Sequence, residues 1–192
     1  TRSAYAKRGV QPRAKDALLK EHILKLVEVC NDGTLAGIRD KALILFAWAS
    51  GGRRRSEVAH ACVERLHRLG PAEYVFRMAY SKTNQQGRVR AGQDKPIVGP
   101  AGAALHAWLE ASKLESGPLF RRILRGGHIA EGLTAAGVNK IVQRRCLQAG
   151  LEGNFSAHSL RSGFVTEAGR QNTPLPEAMA LSGHASTAVF LG

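Results

Sequence analysis

The stretch that most limits the fold is LAGIRDKALILFAWAS, residues 35–50. Its second half is apolar on nearly every side of a helix, and such a helix is stable only inside a core. GGRRRSEVAH, residues 51–60, follows at once. The chain therefore carries three arginines off the end of its most apolar element. Two glycines let the backbone come close to a ligand, and arginine at a helix start suits a phosphate. For any single Arg in a basic chain, surface charge is the plainer reading. Three together beside Gly-Gly and a core helix weaken it.

The elements around this stretch follow from periodicity. Leu19, Ile23, Leu26, Val27 and Cys30 share one helical face, with Asp16 as the expected N-cap. NDG (31–33) is a turn, and RRSEVAHACVERL (54–66) reads as a third helix. The period then changes to two. YVFRMAY (74–80) reads as a strand, SKTNQQG (81–87) as a polar turn and RVRAGQDKPIV (88–98) as a returning strand. AGAALHAWLEAS (101–112) is helical with Trp108 on its apolar side, and 116–127 is a loop with a short extended piece. Helices are predicted again over 134–150, with a basic back half and Gly150 as C-cap, over 158–170, and over 173–184, ending at Gly183. The expected fold class is mixed α/β and mainly α, with a small antiparallel sheet inserted after the first helices. No internal repeat, low-complexity segment or second domain is visible.

Charge narrows the partner. Lys plus Arg number 28 against 15 acids, a net charge of +13. That excess suits a polyanion, most simply nucleic acid held by phosphate contacts that salt weakens. TRSAYAKRGVQPRAKDALLK carries six of the basic residues and one acid, Asp16, and reads as a basic linker or arm, or equally as a solvated tail. No apolar run approaches a membrane span and no signal-peptide pattern is present, so a soluble, cytoplasmic protein is expected. Cys30, Cys62 and Cys146 are widely spaced, as buried free thiols in a reducing compartment would be. The start at Thr1 and the abrupt end after LSGHASTAVFLG read as a piece of a longer chain.

Three further clusters could carry chemistry. In AHSLRSGF (157–164), His158 and Arg161 are three apart at a helix start and share a face. Arg can clamp a phosphate oxygen and His can move a proton or donate a hydrogen bond. In SGH (182–184), His184 follows a helix-ending glycine, where a capping or packing role is the commoner one. In SKTNQQG, Lys82 sits in a polar turn, where most lysines are merely solvated; a flexible ammonium there could also enter a DNA groove or donate a proton.

Taken in order, these pieces resemble the tyrosine recombinase (phage integrase) family. GGRRRSEV is similar to its G-x-R-x-S-E box, SKTNQQG to the turn bearing its lysine, AHSLRSGF to its H-x-L-R box and LSGHAS to its L-G-H box. The resemblance covers residues from about 16 to 192, leaving 1–15 as an interdomain linker and the family's upstream DNA-clamping domain outside this sequence. It implies the tyrosine-recombinase catalytic-domain fold and a DNA transesterification without metal, ATP or other cofactor. It implies that Arg54 and Arg161 clamp the non-bridging oxygens and that Lys82 protonates the leaving 5′ oxygen. His158 takes the nucleophile's proton or bonds the phosphate, His184 adds a donor, and Glu57 orients the site. The family's nucleophilic tyrosine follows the L-G-H box by about nine residues, just past Gly192. Tyr5, Tyr74 and Tyr80 do not match its place. The chain as given is therefore expected to be inactive in covalent cleavage. Double-stranded DNA is the implied partner. The full-length protein is expected to assemble into a four-subunit synapse and these residues alone to stay monomeric. Arg53, Arg55, Asn139, Lys140, Gln143, Arg144 and Arg145 are candidates for DNA contact.

Three other functions use parts of the same pattern. A type IB topoisomerase-like enzyme shares the Arg-Lys-His chemistry but relaxes supercoils. A DNA-binding regulator keeps the fold without catalysis. A metal-free ribonuclease would use His158 and His184 as acid and base. Each of these leaves the order of all four boxes as coincidence.

Overall fold

The apolar run becomes the central helix. In the computed structural model, which describes residues 15–78, 94–183 and 187, α2 spans Leu35–Ala49 and buries Ala42 through Ala47 without a break. Thr34 caps its start by accepting from Gly37 N at 2.9 Å. Helix α1 (Lys20–Val29) lays Ile23 and Leu26 against it. Asp16 does not cap α1, which begins after Leu19; its carboxylate accepts instead from Asn154 N at 2.6 Å. That bond, with Leu18 N donating to Ser159 O at 2.9 Å, ties the start of the described chain to residues 154–159.

The third helix is much shorter than its periodicity suggests. Helix α3 covers only Arg55–Ala59, and a single 3₁₀ turn follows at Val63–Arg65. The backbone explains the break. Leu119 N donates to Ala61 O at 2.8 Å and Val63 N to Gly117 O at 2.9 Å. A residue whose carbonyl and amide pair with a distant segment cannot also serve a helix ladder. The chain then enters strand β1 (Leu66–Gly70), which the sequence did not reveal because its middle residues are exposed and show no alternation.

Strands β2 (Glu73–Arg77) and β3 (Asp94–Ile97) complete an antiparallel sheet in the order β1-β2-β3. The pleat sends Tyr74 and Phe76 of β2, and Lys95 and Ile97 of β3, to the core side. Phe46 of α2 meets Phe76 and Phe120 edge-on, with ring centroids 5.1 and 5.4 Å apart. Helix α4 (Gly99–Ser112) packs along α2 and buries Trp108, whose indole N–H donates to Leu119 O at 2.8 Å. The predicted loop at 116–127 contains β4 (Arg121–Ile123), which pairs with β5 (Ile129–Gly132) in a second small sheet.

Helix α5 (Ala135–Gln148) turns Val138, Ile141, Val142, Arg145 and Cys146 inward. Helix α6 (Ala157–Arg170) and α7 (Leu175–Ser182) follow, α7 packing on α6. The mainly helical, mixed architecture matches the expectation. Cys30 and Cys146 are buried free thiols and Cys62 is partly buried. Among the described residues no helix is long and apolar enough to cross a membrane.

Candidate active site

Arg54 stands at the mouth of the turn that leaves α2. Its amide donates to Glu57 Oε2 at 3.0 Å and its guanidinium to Glu57 Oε1 at 3.2 Å, so one carboxylate both closes the first turn of α3 and holds the arginine. Glu57 is buried, and Arg53 Nη1 lies 3.8 Å away on its other side. The Gly-Gly pair serves the protein and not a ligand. A Cβ on Gly51 would lie 2.2 Å from Leu181 O, and one on Gly52 would lie 2.6 Å from Arg161 Cα. Both residues have positive φ, 98° and 69°. They let the loop sit directly on α6 and α7.

Helix α6 brings the second half. Ser156 caps it by accepting from His158 N at 3.2 Å, while Ser159 Oγ accepts from Ser156 N at 3.0 Å. His158 is exposed on the first turn. Partial desolvation of the ring, with Arg161 and Arg54 adding repulsion, holds its pKa below the usual histidine value, which favours the neutral imidazole that can accept a proton. Arg161 lies one turn further on and is only 4% exposed. Its Nη1 donates to Gly52 O at 3.2 Å and to Ser182 O at 2.7 Å, while its buried Nη2 has no partner among the described residues. Desolvation, then Arg54 and Arg53, push its pKa down to about 10. It stays charged at neutral pH, in a cluster with more cations than anions.

A cleft of about 520 Å³ opens beside these residues, lined by Lys15, Arg54, Arg55, Ser56, Asn139, Gln143, Ser156 and His158. A larger apolar groove of about 590 Å³, bordered by residues such as Ile23, Leu45 and Ala104, shares none of those residues. The cleft can take an anion along a cationic wall and present a neutral imidazole to it. Among the described residues no group of three or more His, Cys, Asp or Glu is gathered to hold a metal ion.

The remaining expected DNA contacts divide. Arg55 and Lys140 are exposed. Asn139 Oδ1 accepts from Ala157 N at 2.9 Å and its amide donates to Gln143 Oε1 at 2.9 Å, so both side chains are engaged in holding the start of α6. Arg144 is half exposed with one end on Asp40 at 2.6 Å. Two candidates are corrected. Arg53 is 3% exposed and donates inward to Gly51 O and Leu181 O. Arg145 is 2% exposed and is enclosed by Asp40, Asp32 and Val29 O. Neither faces the solvent from there: both guanidinium groups are enclosed and donate to acceptors inside the protein. Lys82 and His184 lie outside the described residues.

Two buried cations escaped the sequence reading, Arg39 beside Asp40 and Lys95 in this cluster. Lys95 is 3% exposed and its Nζ donates to Ala180 O. Desolvation, with Arg53 adding repulsion, lowers its pKa to about 8. The signal was present in DKPIV, where two-residue alternation puts Lys95 on the same face as Ile97.

The phage integrase family model matches residues 16–190. The chain is 33% identical over 187 residues to an integrase/recombinase xerD homolog of Selenomonas ruminantium, covering 93% of this chain and 53% of that protein. It is 26% identical over 171 residues to the tyrosine recombinase XerD of Listeria innocua, covering 86% and 52%. It thus spans about half the length of these curated relatives. Among solved structures, XerH site-specific recombinase bound to palindromic difH substrate, a post-cleavage complex, superposes with a TM-score of 0.70 at 22% identity, over 94% of this chain and 49% of that one. A lambda integrase dimer bound to a COC′ core site gives 0.67 at 18% identity, over 100% and 51%. At these identities the structural matches speak for the fold.

Proposed function

Because the chain belongs to the phage integrase family, we propose that it is the strand-cleaving domain of a site-specific DNA recombinase. The observation that carries this reading is the buried Nη2 of Arg161, without a partner among the described residues, in a cationic cluster with Arg54 and beside His158. Among the described residues Glu57 is the carboxylate set against Arg53, Arg54 and Arg161, and a phosphodiester supplies the further negative charge that this excess of cations suits.

In this reading Arg54 and Arg161 hold the two non-bridging oxygens of the scissile phosphate, and Glu57 keeps Arg54 in place. A tyrosine encoded just past Gly192 attacks phosphorus through its phenolic oxygen and gives its proton to His158. The bond from phosphorus to the 5′ oxygen breaks, Lys82 protonates that oxygen, and a 3′-phosphotyrosyl link remains. His184 adds a donor to the phosphate. The bond energy is conserved, so rejoining needs no cofactor. Arg55 and Lys140 contact the DNA backbone. The full-length protein assembles into a four-subunit synapse on duplex DNA in the cytoplasm, and these 192 residues alone are monomeric.

The test is a chain extended through its native downstream codons, incubated with a nicked duplex that traps the covalent intermediate. The expected result is a protein–DNA adduct in a denaturing gel, attached through a tyrosine beyond Gly192 and abolished by Arg161→Ala. The rate should fall as pH drops through the lowered pKa of His158. DNA binding without an adduct on the protein's own site rejects the reading in favour of a regulator.

A further inference from the structure

The last four carbonyls of a helix have no partner within it and form the negative end of its dipole. In α7 each of the four is taken. Met179 O accepts from Gly183 N at 2.8 Å. Ala180 O accepts from Lys95 Nζ, Leu181 O from Arg53 Nη2, and Ser182 O from Arg161 Nη1. Three cations from β3, from the loop before α3 and from α6 thus close on three successive carbonyls.

This is more than a helix end needs. A single exposed cation serves the dipole, whereas burying three like charges carries a desolvation cost that hydrogen bonds to neutral carbonyls offset only in part. The charged groups facing them are few. Glu57 and Arg54 lie beside Arg53 and Arg161, and Asp94 precedes Lys95. Among the described residues neither Lys95 nor Arg161 has a carboxylate in ion-pair contact. The arrangement has a directional consequence. A guanidinium is planar, so two acceptors on Nη1 fix the plane and with it the direction of Nη2. One of those acceptors, Ser182 O, belongs to the turn that Lys95 and Arg53 hold.

We propose that Lys95 and Arg53 are positioning residues for Arg161: by anchoring Ala180 O and Leu181 O they fix Ser182 O, and so set the direction of Arg161 Nη2, the donor without a partner among the described residues. The consequence for catalysis rests on the strand-cleaving reading; the consequence for Arg161 itself does not.

The experiment uses the full-length protein as wild type, Lys95→Met, Lys95→Arg and Arg53→Met. Single-turnover cleavage of a nicked duplex of the protein's own site is measured beside affinity for the same DNA. Lys95→Met should slow cleavage about 10–100-fold while leaving affinity within about 3-fold, because no DNA contact is removed. Lys95→Arg, which still donates, should recover most of the rate. In parallel, amide exchange across α7 and the ¹⁵N resonance of Arg161 Nε–H are recorded without DNA. Lys95→Met and Arg53→Met should speed exchange over 180–183, leave α2 unchanged, and shift or broaden the Arg161 signal. Wild-type exchange and an unchanged Arg161 signal in Lys95→Met overturn the proposal, as does wild-type cleavage. If the wild-type protein forms no adduct, the strand-cleaving reading falls and the exchange and Arg161 measurements alone decide the positioning.

Discussion

Arg145 Nε donates to Asp40 Oδ2 at 2.8 Å between two side chains that are almost wholly buried. Asp40 also accepts from Arg39 at 2.6 Å and from Arg144 at 2.6 Å, so one carboxylate of α2 gathers three arginines and pins α5 to the central helix. Breaking a buried pair leaves the other charge uncompensated, at a cost of about 3–5 kcal/mol. Asp40→Asn and Arg145→Ala should both lower the unfolding free energy read from urea titrations by that order, with a lower midpoint. At a temperature where Arg145→Ala stays folded, its DNA affinity and salt dependence should match wild type, since its guanidinium does not face solvent.

The opposite result is expected for the exposed arginine next to the cleft. Arg55 lines it and is exposed. Arg55→Ala should weaken duplex binding with little effect on stability, and should reduce the slope of log K against log salt by about 1. Binding titrations between 50 and 200 mM salt, about the range where such slopes are read, check both variants side by side. An unchanged slope removes Arg55 from the DNA contacts.

Gly51→Ala tests the close approach of the loop to α7. The new Cβ would meet a backbone carbonyl, which cannot step aside as a flexible side chain can, and φ at this position is 98°. A cost of about 2 kcal/mol or more is expected from the backbone conformation and the clash together. Thermal unfolding reads the cost, and faster amide exchange at 180–183 shows where it falls.

Lys95 makes stability depend on pH in a definite direction. Its pKa falls from 10.5 to about 8 on folding. Between those values the unfolded chain holds a proton that the folded chain has released, so stability rises with pH through that window. The benefit is complete above the unfolded pKa and is lost as pH falls through about 8; its size is on the order of 3 kcal/mol. The Cys30 and Cys146 thiols act the other way, because burial raises them to about 12 and 11. The measurement is therefore a difference. Wild-type stability minus that of Lys95→Met should grow from pH 8 to 10.5, and a flat difference contradicts a buried, titrating Lys95.

Local pattern alone determined much of this protein. A helix with no polar face must lie at the centre, and α2 does. The stripe of α1, the alternation in β2, the existence of α5 and α6 and the spacing of His158 from Arg161 are set by bond geometry within a few residues, so they were legible in the order of side chains. The family boxes were legible for the same reason. Tertiary structure decided what each charge is for. Arg53, Arg54 and Arg55 are adjacent and chemically alike, yet the first caps α7, the second is held by Glu57 at the cleft and the third faces solvent. Arg144 and Arg145 divide in a similar way around Asp40, over a hundred residues distant. Whether a cation meets water, a carboxylate or a helix end depends on which segments fold beside it. That is a property of long-range packing, and so the end of α3 at Ala59 and the burial of Lys95 appeared only with the fold.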